Sequence, residues 1–370
     1  MKTLLCGLLF FLLSCGDSTH KEEPKTIKDF QWAQLTTTPD SIDFPKYVKN
    51  DDISFINKDV GWAISSIAAE VYHTKDGGNT WELQFKAPRV KDKPRPYFRS
   101  IGFISKDIGY VGLLNGKEYG HIVFETRDGG KTWNPVSQID NSPMEGVCAM
   151  YPVNTKSIYI AGRIDGKAYV AKSLDEGVTW KIYDVNHKIE QITDVFFWDE
   201  NHGFIIGGKR EPKNPDGHIL FYSNSVILET QNGGETWETR YQSDRVTEWC
   251  WKMSFPSKNI GYVSIQSFRG YWGTMFETEY FLKTIDGGKT WKSMVLADKE
   301  ENYFNQQGIG FITDKIGWIG SYLPDHPMMY TEDGGETWHK TEHPGTVNRF
   351  RFLQDKTAYA IGSHIFKMEF

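Results

Sequence analysis

The sequence predicts an all-β protein, a seven-bladed β-propeller whose last blade is closed by the N-terminal strand. Three observations lead to this prediction. An octapeptide built on Asp-Gly-Gly recurs six times along the 370 residues, and an apolar strand followed by a Gly-aromatic strand recurs seven times. The composition, with 35 Gly and 15% aromatic residues, suits many short strands joined by tight turns. Repeats of about 50 residues that cannot bury their apolar faces alone stack into one body.

The first residues are predicted to be a targeting signal and not part of the fold. Lys2 precedes a short apolar stretch, Leu4 to Leu13, which is shorter than a membrane-spanning helix. The sequence Leu12-Leu13-Ser14-Cys15 resembles a bacterial lipobox. We therefore expect a signal peptide over residues 1–14 and lipidation of Cys15. An ordinary signal peptide cut at a nearby small residue is the alternative.

The polar residues that follow are expected to tether the folded body to a membrane. Residues 15–29 include Lys21-Glu22-Glu23-Pro24-Lys25, a composition typical of a flexible linker. In many bacterial lipoproteins Asp after the cysteine signals retention in the inner membrane, and here Gly16 takes that place. The expected location is the bacterial cell envelope, with the outer membrane or the surface favoured over the inner membrane.

The octapeptide predicts the turn between the third and fourth strands of each unit. A carboxylate can accept backbone N–H groups, the glycines can adopt positive φ, and the threonine can bond locally. A tryptophan then begins the fourth strand. The third copy has Glu176 in a usual glycine place, and the fourth has Asn for Asp. The six turn residues are Asp76, Asp128, Asp175, Asn232, Asp286 and Asp333.

The seventh unit is one strand short, which predicts how the ring closes. Its three strands cover Phe350–Phe352, Thr357–Ile361 and His364–Met368, where the chain ends. Near the N-terminus, Phe30–Leu35 resembles a fourth strand, with Trp32 in the place of the octapeptide tryptophan. We expect this segment to complete the seventh blade, so that residues 30–370 form one propeller domain.

The octapeptide resembles the Asp-box (BNR) repeat of sialidases, xyloglucanase-type glycosidases, sortilin ectodomains and photosystem II assembly factors. The whole unit most resembles the photosystem II assembly/stability factor-like family and its non-photosynthetic bacterial relatives. The resemblance covers about residues 30–370 and is specific for the fold but weak for function. It implies that the boxes lie away from the functional face and that their carboxylates are structural.

Binding residues are expected on the opposite rim, where the fourth-to-first and second-to-third strand loops meet. Trp249 and Trp251 are two residues apart, so the alternative is that both pack in the core. The arginines can bind an acidic partner or a carboxylate, or be scattered and solvated. The candidates are Arg99, Arg163, Asp194, Arg245, Glu248, Trp249, Trp251, Arg269, Tyr271, Trp272 and Arg349.

Composition and motifs narrow the function classes. The net charge of −6 argues against nucleic-acid binding. There is no dinucleotide-binding glycine motif, C-x-x-C, haem motif or zinc spacing, so no cofactor, metal or catalytic residue is predicted. A glycosidase stays open as an enzyme class, using Asp194 and Glu248, or Tyr271 in a sialidase-like site, although the sialidase Arg-Ile-Pro motif is absent.

The expected function is therefore a lipid-anchored scaffold that binds or assembles an envelope protein complex. The alternative is a propeller that binds or cleaves a glycan. The partner is thus an unknown envelope protein or a glycan. Cys148 and Cys250 lie in apolar strands of non-neighbouring units, so we expect both to be buried and free.

Overall fold

The fold was analysed in a computed structural model that describes residues 25–35, 50–164, 166–210, 223–267, 278–298, 306–321, 326–344 and 346–370. These residues form seven antiparallel sheets of four strands each. Blade 1 contains β2 (Ile53–Phe55), β3 (Gly61–Ser65), β4 (Glu70–Thr74) and β5 (Glu82–Lys86). Blade 2 contains β6 (Phe98–Phe103), β7 (Gly109–Leu113), β8 (Val123–Thr126) and β9 (Asn134–Pro135). Blade 3 contains β10 (Ala149–Pro152), β11 (Ile158–Gly162), β12 (Tyr169–Ser173) and β13 (Lys181–Asp184).

The remaining blades follow the same order. Blade 4 contains β14 (Gln191–Phe197), β15 (Gly203–Arg210), β16 (Ser223–Thr230) and β17 (Glu238–Gln242). Blade 5 contains β18 (Glu248–Ser254), β19 (Gly261–Ser267), β20 (Thr278–Thr284) and β21 (Lys292–Asp298). Blade 6 contains β22 (Gln306–Phe311), β23 (Gly317–Ser321), β24 (Pro327–Thr331) and β25 (His339–Pro344). Blade 7 contains β26 (Val347–Phe352), β27 (Thr357–Gly362), β28 (Ile365–Glu369) and β1 (Ala33–Gln34).

The ring closes as predicted, because β1 is the fourth strand of blade 7. Ala33 and Gln34 pair antiparallel with β28. Trp32 is buried beside them, and its ring centroid lies 5.5 Å from that of Trp318 in an edge-on contact. The first strand of each blade contacts that of the next, including β26 with β2, so the seven sheets form a closed propeller. We name the strands of each blade A to D from the centre outward.

The two faces of the ring carry different connections. The A–B turns and the C–D turns share one face, since the box residue Gly77 donates its N–H to the A–B turn carbonyl of Asp59 at 2.8 Å. We call it the box face, and the opposite side, with the B–C and D–A connections, the B–C face. Two short helices, α1 (Gly116–Tyr119) and α2 (Ser137–Asp140), lie in such connections of blades 2 and 3.

The Gly-aromatic motif of strand B joins neighbouring blades. The phenylalanine at the end of strand A covers the motif glycine of its own blade, where a Cβ at Gly61 would overlap the ring of Phe55. The motif aromatic stacks on the strand A phenylalanine of the next blade. Trp62 lies 3.5 Å from Phe103, centroid to centroid, at an interplanar angle of 5°. The corresponding stacks are Tyr159–Phe197, Tyr262–Phe311 and Tyr359–Phe55.

The motif tyrosines add a hydrogen bond across the same interfaces. The hydroxyl groups of Tyr159, Tyr262 and Tyr359 each donate to a backbone carbonyl in the A–B turn of the next blade, at 2.8 Å. Tyr110 donates to the Glu176 carbonyl in the box of blade 3 at 2.9 Å. Each tyrosine therefore buries its ring and satisfies its hydroxyl in one contact.

The six boxes have one common hydrogen-bond pattern. In blade 2 the Asp128 carboxylate accepts bonds from the Thr126 hydroxyl, the Thr132 N–H and the Thr132 hydroxyl, at 2.9, 2.9 and 2.7 Å. These bonds lower the pKa of Asp128 to about 2. Asn232 substitutes for Asp because its Oδ1 accepts from the Thr236 N–H while its Nδ2 donates to the Thr236 hydroxyl. Glu176 adopts the positive φ that glycine has in the other boxes.

The chain before β1 differs from the predicted boundary. Residues 25–29, assigned to the tether from sequence, include a 3₁₀ turn at Ile27–Asp29. The Ile27 N–H donates to Glu332 of the blade 6 box at 2.7 Å, so the segment meets the ring on the box face. The signal peptide and Cys15 lie outside the described residues. No helix among the described residues is long and apolar enough to cross a membrane. Cys148 and Cys250 are buried and free, as predicted.

The box tryptophans differ in burial, which predicts a ranking of their effects on stability. Trp237 is only 5% exposed, and its indole N–H donates to the Gly234 carbonyl at 3.1 Å. Trp133 makes the equivalent bond at 3.2 Å but is only partly buried. We expect Trp237→Ala to lower the free energy of unfolding by about 3–5 kcal/mol, because it leaves a cavity between packed sheets. Trp133→Ala should lower the free energy of unfolding by a smaller amount. Urea unfolding of both variants tests the order, and an equal loss would contradict it.

Candidate binding face and central channel

The B–C face is raised at blades 4 and 5. Strands β15 and β16 have eight residues each, whereas β11 and β12 of blade 3 have five. Strands β19 and β20 of blade 5 have seven each. Three additional residues lengthen a strand by about 10 Å. Two hairpins therefore project beyond the neighbouring blades, and Lys209 and Arg210 lie at the described end of the first.

The centre of the ring is filled by side chains from the A strands. Trp251 of blade 5 donates its indole N–H to Gln307 of blade 6 and Asn348 of blade 7, at 3.1 and 3.2 Å. The Arg99 guanidinium of blade 2 lies 5.0 Å above the same indole. Arg99 also forms an ion pair with Asp51. Because four blades meet at one indole, Trp251 crosses the channel.

A second group of charges lies beside Trp251. Arg349 forms a two-oxygen ion pair with Asp194 across the ring, at 2.8 and 2.9 Å. Its Nε lies 3.4 Å from Asp52, which also accepts a hydrogen bond from Arg351 at 2.8 Å. The Lys252 ammonium donates to the Thr193 carbonyl at 2.9 Å. The arginines are thus paired with carboxylates, as burial requires, whereas Lys252 is bonded to a backbone carbonyl.

The environment of this cluster keeps the Asp52 carboxylate charged but shifts the Lys252 ammonium towards its neutral form. Burial alone would raise the pKa of Asp52, but Arg351, Arg349 and a hydrogen bond from Ser100 outweigh burial and hold it below its ordinary value. Burial and the charge of Arg349 lower the pKa of Lys252 to about 7, against the opposing charge of Asp194. Asp52 is therefore ionised at neutral pH, whereas Lys252 is near its midpoint.

Comparison with known proteins agrees with this architecture. The profile of the family described as photosynthesis system II assembly factor YCF48 matches residues 31–149, and that of the BNR/Asp-box repeat matches residues 329–340. The photosystem II assembly lipoprotein Ycf48 of Synechococcus sp. (strain CC9902) is 26% identical over 178 residues. That match covers 46% of this chain and 43% of the relative. The chain is an Asp-box (BNR) β-propeller that resembles the photosystem II assembly factor family.

Solved structures share the propeller fold over nearly the whole chain. "YCF48 bound to D1 peptide" is 17% identical with a TM-score of 0.60, covering 92% of this chain and 96% of that one. YCF48 from Cyanidioschyzon merolae is 16% identical with a TM-score of 0.60, covering 91% and 98%. The GH74 xyloglucanase from Xanthomonas campestris is 11% identical with a TM-score of 0.57, covering 91% of this chain but 53% of its own. At these identities the likeness describes the fold.

Six of the predicted binding residues are not exposed on the rim of the propeller. Arg99, Asp194, Trp251 and Arg349 belong to the central cluster and are buried there. Glu248 and Trp249 are buried at the start of β18, where Trp249 packs against Gly208 of blade 4. The expectation of an exposed rim is thus incorrect for these residues, because four of them lie in the central cluster and Glu248 and Trp249 pack against groups of blades 4 and 5. Both tryptophans follow the alternative stated above and pack in the interior.

Two predicted residues keep partial exposure on the B–C face. Arg163 forms a two-nitrogen ion pair with Glu118, with both distances 2.8 Å. Arg245 forms an ion pair with Glu248 and lies 4.2 Å above the ring of Tyr280. Neighbouring groups therefore fix the direction of both guanidinium groups. Arg269, Tyr271 and Trp272 lie outside the described residues, and a binding role for any of the candidates stays a prediction.

The carboxylate pair considered for a glycosidase does not have the required access. Asp194 is buried against Arg349 and also accepts the Met253 N–H at 3.1 Å. Glu248 is buried against Arg245, which contacts both of its oxygens. A glycosidase acid and base must reach a glycosidic bond from opposite sides. These two carboxylates are instead paired with arginines, Asp194 with the buried Arg349 and Glu248 with the partly exposed Arg245.

Sequence reasoning did not identify several members of the central cluster. Asp51 and Asp52 precede the first strand A as two adjacent carboxylates, and Lys252 interrupts an apolar strand. A charged residue inside an apolar strand, together with the alternation of Arg349 and Arg351, was the available signal. This sequence pattern indicates buried ion pairs only once strand A is known to line the centre of the ring.

The Lys252 ammonium gives a pH dependence with a definite sign. An unfolded lysine has a pKa near 10.4, so from about pH 7 to 10 the unfolded chain holds a proton that the folded chain lacks. The free energy of unfolding should rise with pH in this window, by at most about 1.4 kcal/mol per pH unit. Lys252→Met should remove that rise, as measured by urea unfolding between about pH 7.5 and 9.5.

Lys283→Met is the matched control for this measurement. Lys283 also donates to a backbone carbonyl, that of Gly334 at 2.8 Å, but it lies on strand C away from the centre. The control should keep the slope of the wild type. A Lys252→Met protein with the wild-type slope would show that Lys252 titrates normally in the folded ring.

Proposed function

We propose that the protein is an envelope propeller that binds another protein through its B–C face and assists the assembly or stability of a protein complex. The projecting hairpins of blades 4 and 5 carry this proposal. Their strands extend about 10 Å beyond those of blade 3 at blade 4, and about 7 Å beyond those of blade 6 at blade 5, and so form a wall on this face. Such a wall gives an extended segment of a partner one side to lie against, and binding residues concentrate on loops held by a rigid scaffold.

The charges of this face support recognition of acidic or carboxylate groups. Arg163, Arg210 and Arg245 lie on it in three consecutive blades, and each is paired with a glutamate. Partners that fix an arginine reduce the side-chain entropy lost on binding. The sequence adds Arg269, Tyr271 and Trp272 to the connection of blade 5, and arginine with aromatic residues is typical of interface hot spots.

The relatives support the same class of function. One similar propeller is described as bound to a D1 peptide, and the curated relative is described as a photosystem II assembly lipoprotein. For this chain we infer the coarser property, the binding of a protein segment, and leave the partner to experiment. The match to the curated relative covers less than half of its length, so its partners are not transferred.

The position of the N-terminus agrees with a lipid anchor. The described chain reaches the ring at Ile27 on the box face. If Cys15 is lipidated, the twelve positions from 15 to 27 span about 40 Å at full extension. The anchor then emerges on the box face and leaves the B–C face directed away from the membrane, where it is accessible to a partner.

Affinity capture from detergent-solubilised native membranes tests the proposal. The wild type is compared with the double variant Arg269→Ala and Trp272→Ala, which should lose a stoichiometric protein partner while its melting temperature stays unchanged. Arg127→Ala, an exposed position on the box face, is the control and should retain the partner. Equal capture by all three proteins, or capture by none, would contradict binding through the B–C face.

A further inference from the structure

One position of strand A varies in size among the blades, from glycine to arginine, and shapes the channel mouth on the box face. It pairs with the motif aromatic of strand B and directs its side chain to the next blade. Ser54 thus accepts the Phe103 N–H at 3.1 Å, and Arg351 donates its Nε–H to the Ile53 carbonyl at 3.2 Å. In blade order the seven residues are Ser54, Gly102, Tyr151, Phe196, Ser254, Gly310 and Arg351.

A cavity of about 700 Å³ opens on the box face at blades 1, 2, 3 and 7. Ser54 and Gly102 leave space in blades 1 and 2, and the larger Arg351 and Tyr151 bound that space from blades 7 and 3. Apolar surface of Ile101, Phe103, Pro152 and Phe352 completes the walls. The volume lies in the range of small-molecule sites.

The charged side chains that line the cavity are cationic. Arg351 and Lys106 line it, and no carboxylate does among the described residues. Arg351 uses Nε and Nη2 on blade 1, whereas its Nη1 has no partner among the described groups, and the side chain is 21% exposed. The Tyr151 hydroxyl likewise has no described partner. Burial raises the pKa of Tyr151 to about 12, so this hydroxyl keeps its proton at neutral pH.

The charge balance behind the cavity does not oppose an anion. The central cluster holds three carboxylates, Asp51, Asp52 and Asp194. It holds three arginines, Arg99, Arg349 and Arg351, together with Lys252. The arginines and the carboxylates balance when Lys252 is neutral, and the cations exceed the carboxylates by one when Lys252 is protonated. No excess of carboxylates therefore opposes an anion beside Arg351, and guanidinium groups bind carboxylates in charge-assisted hydrogen bonds.

We propose that this cavity is a binding site for a small monocarboxylate with an aromatic or aliphatic body. The carboxylate accepts hydrogen bonds from Arg351 and the Tyr151 hydroxyl, and Lys106 at the entrance adds long-range attraction. The body lies against Ile101, Pro152 and Phe352. The site is on the opposite face from the proposed protein interface and depends on none of its residues, so either proposal can fail without the other.

The test compares two ligands of one shape and different charge. Binding of 2-naphthoate and of neutral 2-naphthamide to the full propeller is measured by saturation-transfer NMR and calorimetry. We expect the acid to bind at least about tenfold more tightly than the amide. Arg351→Gln should weaken binding of the acid by about tenfold or more and leave the amide unchanged, because the apolar walls remain.

A second pair of variants keeps the test valid if Arg351→Gln disturbs the fold. The Lys106 side chain is 78% exposed, so the Lys106→Gln protein should fold normally. Its affinity for 2-naphthoate should be about two- to threefold lower than that of the wild type. Lys131→Gln makes the same charge change on the same blade outside the cavity and should have no effect. Equal affinity for acid and amide, no binding of the acid to the folded wild type, or equal effects of the two lysine variants would overturn the proposal.

Discussion

The propeller depends on one repeated contact, the phenylalanine at the end of strand A held between two blades. On one side it covers a glycine of its own blade, where any larger residue would collide with the ring. On the other side it stacks on the strand B aromatic of the preceding blade, as Phe103 does on Trp62. Four interfaces use this stack at centroid distances of 3.5 to 3.7 Å. The repeated strand B aromatic and strand A phenylalanine in the sequence therefore mark contacts between neighbouring blades.

Closing the seven interfaces between blades, four of which use this stack, brings the A strands together and creates an interior that no single blade contains. Charged side chains from different blades meet there because the A strands converge at the centre. Trp251 crosses the centre, and Arg349 reaches Asp194 from a blade three positions away around the ring. Buried ion pairs of this kind cost desolvation and contribute to specificity when every partner is present. A filled centre also limits function to the two faces and to recesses that open from them.

The two faces offer different chemistry. The B–C face presents projecting hairpins and arginines fixed by glutamates, which suit an extended surface of another macromolecule. The box face is built from tight turns whose carboxylates are consumed by local hydrogen bonds, as in Asp128. Its recess at the channel mouth is instead lined by two cationic side chains, Arg351 and Lys106, and by apolar rings. The two proposed sites therefore lie on opposite faces of the ring and use different chemistry.

The sequence by itself determined the number of blades, the box turns and the closure by Trp32 and β1, since turn chemistry and strand alternation are local and repeat at a fixed spacing. It also determined that Cys148 and Cys250 stay unpaired. Only the tertiary structure decided that Arg99, Asp194 and Arg349 are interior. A polar residue in strand A has the same local pattern whether it lies on a rim or in the centre. Its partner is set by closure of the ring, which joins Asp194 to a residue 155 positions away.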